Sequence, residues 1–413
     1  MLHQKSTTSA EPTPRTRVHV LGAGPVGLLM TALLQSSQRF SVHLYEKRRD
    51  YTRTRMVQLA SYLVADSVAG YCTDYIDDES IRAVFESAEI DEGLKFRQSI
   101  PADVMTLLSG WTQGFCPLNA IEQSLSDLID ARQSHPVQRV AAHITHEDAL
   151  ELLEPGDIMI DCTGSKSVLR NQLVTGDDGG NEDANTFQIR LEYALVITFL
   201  YDEAYACNEF CKYYKNVDNE QYKFIPAVNR TYHDGSISHV TGIVTISAED
   251  YERMPPRFDG PWLRANFPHV AQSMDRFIDK IKEETNGEVV GELEIIRIPL
   301  DLYRAHNATS REWVRTGPEG HPFARSPVFL AGDSAMGSPY FQSISLGFES
   351  AMFLAGLLTQ GDRQLLDMLD RYELFAYKQW LRVYMRSKMI KHNKDLLGCI
   401  GDAPALLEKL HIY

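Results

Sequence analysis

The spacing of apolar residues changes along this 413-residue chain, and each change predicts a different kind of element. At the start, Arg17-Val-His-Val-Leu-Gly-Ala-Gly-Pro-Val-Gly-Leu-Leu-Met predicts a short buried strand, a glycine turn and a helix reaching about Ser37. A second strand follows, Ser41-Val-His-Leu-Tyr-Glu46, so the opening is a βαβ unit. From Phe187 the period becomes two: Phe187, Ile189, Leu191, Tyr193, Leu195, Ile197 and Phe199 alternate with Gln188, Arg190, Glu192 and Thr198. That alternation predicts a half-buried antiparallel strand. Strand-like runs at 221–228, 237–247 and 289–303 extend the same grammar, and an α/β pattern resumes at Pro327. Beyond Asp362, Leu365, Leu369, Tyr372, Phe375, Ala376, Gln379, Trp380 and Val383 recur at helical spacing, which predicts a long amphipathic helix with its aromatics in the core.

The periods divide the chain into a disordered lead-in at 1–16, a discontinuous domain at 17–184 and 310–360, an inserted sheet domain at 185–309, and C-terminal helices at 361–413. Apolar residues at 44% and charged residues at 23% fit folded domains rather than extended disorder. A net charge of −15 disfavours a nucleic-acid partner, since phosphate backbones demand a basic face. No apolar run approaches the roughly 20 residues of a membrane span, and the polar N-terminus lacks a secretory core. A cytoplasmic protein is expected. The six cysteines have no framework spacing, and Cys207 with Cys211 lacks a second pair at ligand spacing, so neither disulfides nor a metal site is expected.

Candidate chemistry begins at Gly22-Ala-Gly-Pro-Val-Gly27, which has a strand before it, a helix after it and Glu46 at the end of the next strand. In that context Gly22 permits the turn, Gly24 lets backbone approach a pyrophosphate, and Gly27 allows close helix packing. Pro25 and Val26 open the helix, whose N-terminus carries roughly half a positive charge. The Glu46 carboxylate suits ribose hydroxyls and repels a 2′-phosphate, so FAD or NAD fits here and NADP does not. A second candidate, Gly332-Asp-Ser-Ala-Met-Gly-Ser-Pro-Tyr-Phe-Gln-Ser-Ile-Ser, follows the apolar run 328–331 and places Gly332 and Asp333 at a strand end. An acid there needs a polar partner.

The segment from Glu46 and Lys47 through Arg53 and Arg55 resembles that of kynurenine 3-monooxygenases and, more loosely, of the MICAL flavoprotein oxygenases, where an arginine reaches back to the FAD. Asp161-Cys-Thr-Gly-Ser-Lys-Ser-Val-Leu-Arg170 resembles the second signature of the group A FAD-dependent monooxygenases: Gly164, Ser167 and Arg170 match, while Thr163 stands where the motif has Asp. The Gly332-Asp333 stretch resembles the third, in which Asp bonds the ribityl chain of FAD and Pro339 matches the loop proline. Gln342-Ser343-Ile344-Ser345 replaces a glycine-rich run, Met336 a frequent His, and Ser343 or Ser345 is an N-cap candidate. Asn119 stands where a helix usually opens with a flavin-contacting Arg, and can still bond a phosphate or ribityl oxygen.

The resemblance implies an α/β fold: a Rossmann-like FAD-binding domain, an inserted antiparallel β-sheet substrate domain and a C-terminal helical segment. It implies a monooxygenase that uses FAD, NADPH or NADH, and O2 to oxygenate a small, aromatic substrate through a flavin C4a-hydroperoxide. Pro339, Tyr340, Phe341 and Gln342 are the loop candidates at the site, with Tyr222 and Phe224 from the sheet. Arg97 falls near the substrate-carboxylate arginine of kynurenine monooxygenases, with a surface arginine as the alternative. His143 and His146 read as exposed. A protein substrate stays open. Two rivals remain: a flavin-dependent dehydrogenase or reductase on the same scaffold, and a catalytically silent FAD-stabilised binding protein.

Overall fold

The computed structural model describes residues 15–53, 56–57, 59–66, 96–114, 116–175, 184–214, 222–232, 236–338, 343–360 and 364–398. In chain order the strands are β1 Thr16–Leu21, β2 Phe40–Tyr45, β3 Met56–Val57, β4 Cys116–Pro117, β5 Gln138–Val140, β6 Ile158–Asp161, β7 Thr186–Asp202, β8 Phe224–Tyr232, β9 Ile237–Ile246, β10 Arg257–Asp259, β11 Val289–Ala305, β12 Val328–Leu330 and β13 Met336–Gly337.

Five of them form a parallel sheet in the order β12-β6-β1-β2-β5, with Val18 beside both Val42 and Ile158. On one face of its central strands Val18, Val20, Val42 and Leu44 are buried, while the other face brings His19 beside His43. The helix Pro25–Gln35 lies against β1 and β2, and the helix Ser343–Thr359, buried from Ile344 to Leu358, packs beside it.

The second sheet is antiparallel, in the order β10-β11-β7-β9-β8, with β13 joined to the end of β11. Leu195, Ile197, Phe199 and Tyr201 of β7 fill a core closed by the helix Pro268–Thr285, whose Phe277 meets Phe224 at 4.5 Å. Strands β7 and β11, 17 residues each, span both cores: Leu191 and Leu302 belong to the first, Leu195 and Ile295 to the second.

The C-terminal helix Leu365–Gly398 clasps the first domain from behind. Tyr372 donates to the Leu330 carbonyl at 2.7 Å, and Gln379 donates to Glu349 at 2.8 Å. Arg382 pairs with the same Glu349 carboxylate, their side chains 7% and 5% exposed. Among the described residues no helix is long and apolar enough to cross a membrane.

Two stability predictions follow from buried charge. Arg382→Met takes the guanidinium away from the buried Glu349 carboxylate, to which Gln379 still donates, and is expected to cost about 3–5 kcal/mol of unfolding free energy in urea, with much of it regained when Glu349→Leu is added. In β1, His19 is buried between the Tyr45 hydroxyl at 2.9 Å and Asp157 at 3.2 Å. Burial lowers its pKa despite the pull of Asp157, and burial lowers that of neighbouring His43 as well. On acidification the unfolded chain therefore takes up protons before the native state does, and stability falls once pH drops below the ordinary histidine value of about 6.5. Tm measured from pH 8 to 5 is expected to decline through that window, and less steeply in His19→Gln.

Candidate functional site

Two close approaches build the glycine turn. Gly22 has φ of +94° and donates to the Tyr45 carbonyl at 2.8 Å, and a Cβ there would lie 2.8 Å from the Cys162 carbonyl oxygen. A Cβ on Gly27 would lie 1.9 Å from the Gly22 carbonyl oxygen. The turn is thereby pressed against both the helix and β6. Gly24 is different: a Cβ there would meet only Arg53 Nη2, at 3.4 Å, so the space above it is open. Gly24 is also the N-cap of the Pro25–Gln35 helix and brings no side-chain cap, leaving first-turn N–H groups for another acceptor.

Glu46 closes the turn from the side. Its Oε2 accepts the Ala23 N–H at 2.9 Å, and its Oε1 accepts the Arg48 N–H at 2.9 Å and the Arg48 guanidinium at 3.2 Å. Burial raises the carboxyl pKa, but the bonds from Arg48 and Ala23 outweigh it and hold Glu46 below its ordinary value. The carboxylate is ionised at neutral pH.

Asp161, fully buried at the end of β6, organises the opposite wall. Its Oδ1 accepts Thr163 N–H at 2.8 Å, Thr163 Oγ1 at 2.6 Å and Ser334 Oγ at 3.1 Å; its Oδ2 accepts Ser167 Oγ at 2.6 Å and Leu169 N–H at 3.0 Å. The acid two residues ahead of the motif position thus holds the turn around Thr163. Arg170 then donates to the carbonyls of Ser334 at 2.8 Å, Asp333 at 2.9 Å and Ser165 at 3.1 Å. Tyr303 donates to the same Asp333 carbonyl at 2.8 Å, and burial with the Asp333 charge pushes its phenol up to about 12, so it remains a donor. The backbone of Asp333 is fixed by these bonds, and the residue lines the cleft.

That cleft, of about 400 Å³, runs along the carboxyl ends of β1, β2, β6 and β12. Gly22, Gly24, Pro25, Val26, Glu46, Lys47 and Arg53 line one wall, with Thr163, Gly164, Asp333, Ser343 and Ile344 across from them. Gly27 and Gly332 sit behind the lining, and Asn119 touches it through its N–H, bonded to the Arg53 carbonyl at 2.8 Å. Arg55 and Pro339, Tyr340, Phe341 and Gln342 lie outside the described residues. Ser345 is inside its helix, not at the cap, and its hydroxyl accepts the Ala60 N–H at 3.0 Å.

Three expected substrate contacts stand elsewhere. Tyr222, just ahead of β8, donates to Asp250 at 2.8 Å, and Phe224 of β8 packs on Phe277, so both belong to the second core. Arg97 is 7% exposed, which removes the surface alternative, and its Nη1 points to the Ala65 carbonyl at 3.5 Å rather than lining the cleft. His143, exposed as expected, borders the cleft.

Motif spacing does not single out Arg48, Lys166 or Glu122. Arg48 and Lys166 join Lys47 and Arg53 on the lining, so four cations face the carboxylates of Glu46 and Asp333 on a protein whose net charge is −15. Glu122 is fully buried and paired with Arg53. Its signal was a charge inside the apolar stripe Leu118, Ile121 and Leu125.

The donor set fits FAD. The open space over Gly24, the uncapped helix N-terminus and the buried, unpartnered Arg53 Nε suit a pyrophosphate, and the Asp333 carboxylate suits polyol hydroxyls.

No family model and no curated protein matches the sequence. Solved structures do match in fold. OxyS anhydrotetracycline hydroxylase from Streptomyces rimosus is 15% identical over 97% of this chain and 73% of its own, with a TM-score of 0.51. The Diels-Alderase PyrE3 is 13% identical over 94% and 78%, with a TM-score of 0.51. CtdE, solved in complex with FAD and a substrate, is 12% identical over 94% and 92%, with a TM-score of 0.50. The chain therefore has the mixed α/β fold of these proteins, a parallel nucleotide-type sheet with an antiparallel sheet and C-terminal helices.

Asp161→Asn keeps the shape but puts an NH2 group where a carboxylate oxygen accepts. With buried donors stranded at about 1–3 kcal/mol each, urea denaturation is expected to register a loss of that order. Trypsin is expected to cut the 163–170 turn faster than in the parent protein.

Proposed function

We propose that the protein is an FAD-dependent monooxygenase that takes electrons from NADPH or NADH and oxygenates a small, aromatic substrate with O2. The observation that carries this reading is the single cleft joining the uncapped helix behind Gly24 to the clamped Asp333. Its two ends match the two polar parts of FAD, pyrophosphate and ribityl chain. The hydroxylase OxyS and the FAD complex of CtdE share the fold and support the choice. The Glu46 to Arg55 segment favours a place beside the kynurenine 3-monooxygenases and MICAL enzymes. The boundaries 17–184 with 310–360 for the FAD domain, 185–309 for the substrate domain and 361–413 for the C-terminal helices belong to the same proposal, as does a cytoplasmic location.

Within this reading, Arg53 and the helix N-terminus hold the pyrophosphate, Glu46 and Lys47 border the adenosine, and Asp333 accepts ribityl hydroxyls. Thr163 and Gly164 form the wall opposite the glycine turn. Val26 and Ile344 supply apolar lining that excludes water. Bound FAD supplies the redox and oxygen-transfer chemistry, so no protein nucleophile is required. The Diels-Alderase PyrE3 on the same fold favours one second reading, a non-oxygenating protein that keeps the cofactor cleft.

The visible spectrum of the purified protein, recorded anaerobically before and after NADPH or NADH, separates these readings. An oxidised-flavin band that bleaches is the expected result, followed by substrate-stimulated oxygen uptake. A band that resists both donors and every substrate supports the non-oxygenating reading, and no band even after adding FAD sinks both. Asp333→Ala is expected to lower FAD affinity at least tenfold, about 1.4 kcal/mol, by removing the ribityl acceptor.

A further inference from the structure

The helix Leu118–Ala131 begins beside the glycine turn and contains no basic residue. Its first turns nevertheless hold a guanidinium. The Asn119 N–H donates to the Arg53 carbonyl at 2.8 Å, and Glu122, three residues further on, ion-pairs with Arg53 Nη2. Backbone and side chain of one arginine are thus fastened to the same helix. The two partners differ in burial: the Glu122 side chain is fully buried and that of Arg53 is 40% exposed. The acid is the fixed member, and the arginine extends from it to Gly24, where its Nη2 is the sole atom that an added Cβ would meet.

A carboxylate in this position is costly. Leu118, Ile121, Leu125 and Ile129 make the buried face of the helix, and an apolar residue would fill the place of Glu122 without taking a charge out of water. One bond to Arg53 satisfies Oε1, while Glu122 Oε2 and Arg53 Nε have no partner. The pair is therefore poor as a device for stability, and its effect falls on where the guanidinium points.

We propose that Glu122 is a positioning residue, which holds Arg53 over the glycine turn so that the ligand's pyrophosphate meets an ordered guanidinium. This assignment rests on the flavoprotein reading. A carboxylate here acts in two ways of opposite sign. As a charge it repels an anion, so removing it tightens binding. As an anchor it orders a side chain that otherwise loses its freedom only when the ligand arrives, so removing it weakens binding. The double fastening to one helix and the complete burial of the acid make the anchor the larger effect.

The test titrates apoprotein with FAD, followed by flavin fluorescence, for the parent protein, Glu122→Gln, Arg53→Met and the double variant, with apoprotein Tm recorded for each. Glu122→Gln is expected to weaken FAD about tenfold, and the double variant to bind no more weakly than Arg53→Met alone, as coupling through one side chain requires. Glu122→Gln binding as tightly as the parent or tighter overturns the assignment, and so do losses that add in full. Should Glu122→Gln fail to fold, Arg53→Lys replaces it: this variant keeps the charge but cannot grip carboxylate and phosphate with one planar fork, and is expected to lose about tenfold. Parent-like binding by Arg53→Lys overturns the assignment equally. A parent protein that binds no FAD retires the flavoprotein reading itself, whereas FAD binding that ignores Glu122 retires this residue alone.

Discussion

The carboxylate of Asp161 is the point from which the cleft is hung. It ends β6 in the middle of the parallel sheet and gathers donors from Thr163, Ser167, Leu169 and Ser334. Two parts of the chain distant in sequence are brought to one buried carboxylate: β6 with the turn that follows it, and the loop around Asp333. Arg170 completes the arrangement by holding the Asp333 and Ser334 carbonyls. A buried acid with this many donors is stable because its desolvation is offset bond by bond. Without it the walls of the cleft would have no common reference.

The long strands perform the equivalent service between the domains. β7 and β11 pair along nearly their whole length and pass from one core to the other, so one antiparallel ladder joins both cores. β13 adds the residues just after Asp333 to the same sheet, through Tyr303 opposite Gly337 and Arg304 opposite Met336.

The pattern along the chain carried much of this architecture. The glycine turn and the period-two run from Phe187 are local signals, and both appear in place as β1 with its helix and as β7. The helix Pro268–Thr285 is legible too, in Val270, Met274, Phe277, Ile278 and Ile281, yet it is easily passed over between two strong strand patterns. What alternation cannot tell is which face of a strand looks at the cleft. Tyr222 and Phe224 were expected at the substrate and are in the second core, Phe224 against Phe277. Arg97 illustrates the same limit: it is buried, with its guanidinium toward the Ala65 carbonyl 32 residues earlier. Glu122 gains its meaning only when Arg53, 69 residues earlier, is placed beside it.

The first helix leaves its opening N–H groups without a side-chain cap, above a turn with open space over Gly24. Most helices finish this account within their own chain. Here the acceptor comes from water or from a bound group, and under the proposed flavoprotein reading the bound cofactor is a structural member as much as a guest. Folding and loading are then linked by mass action, so the amount of folded protein in a cell would follow the supply of that ligand as well as the rate of synthesis.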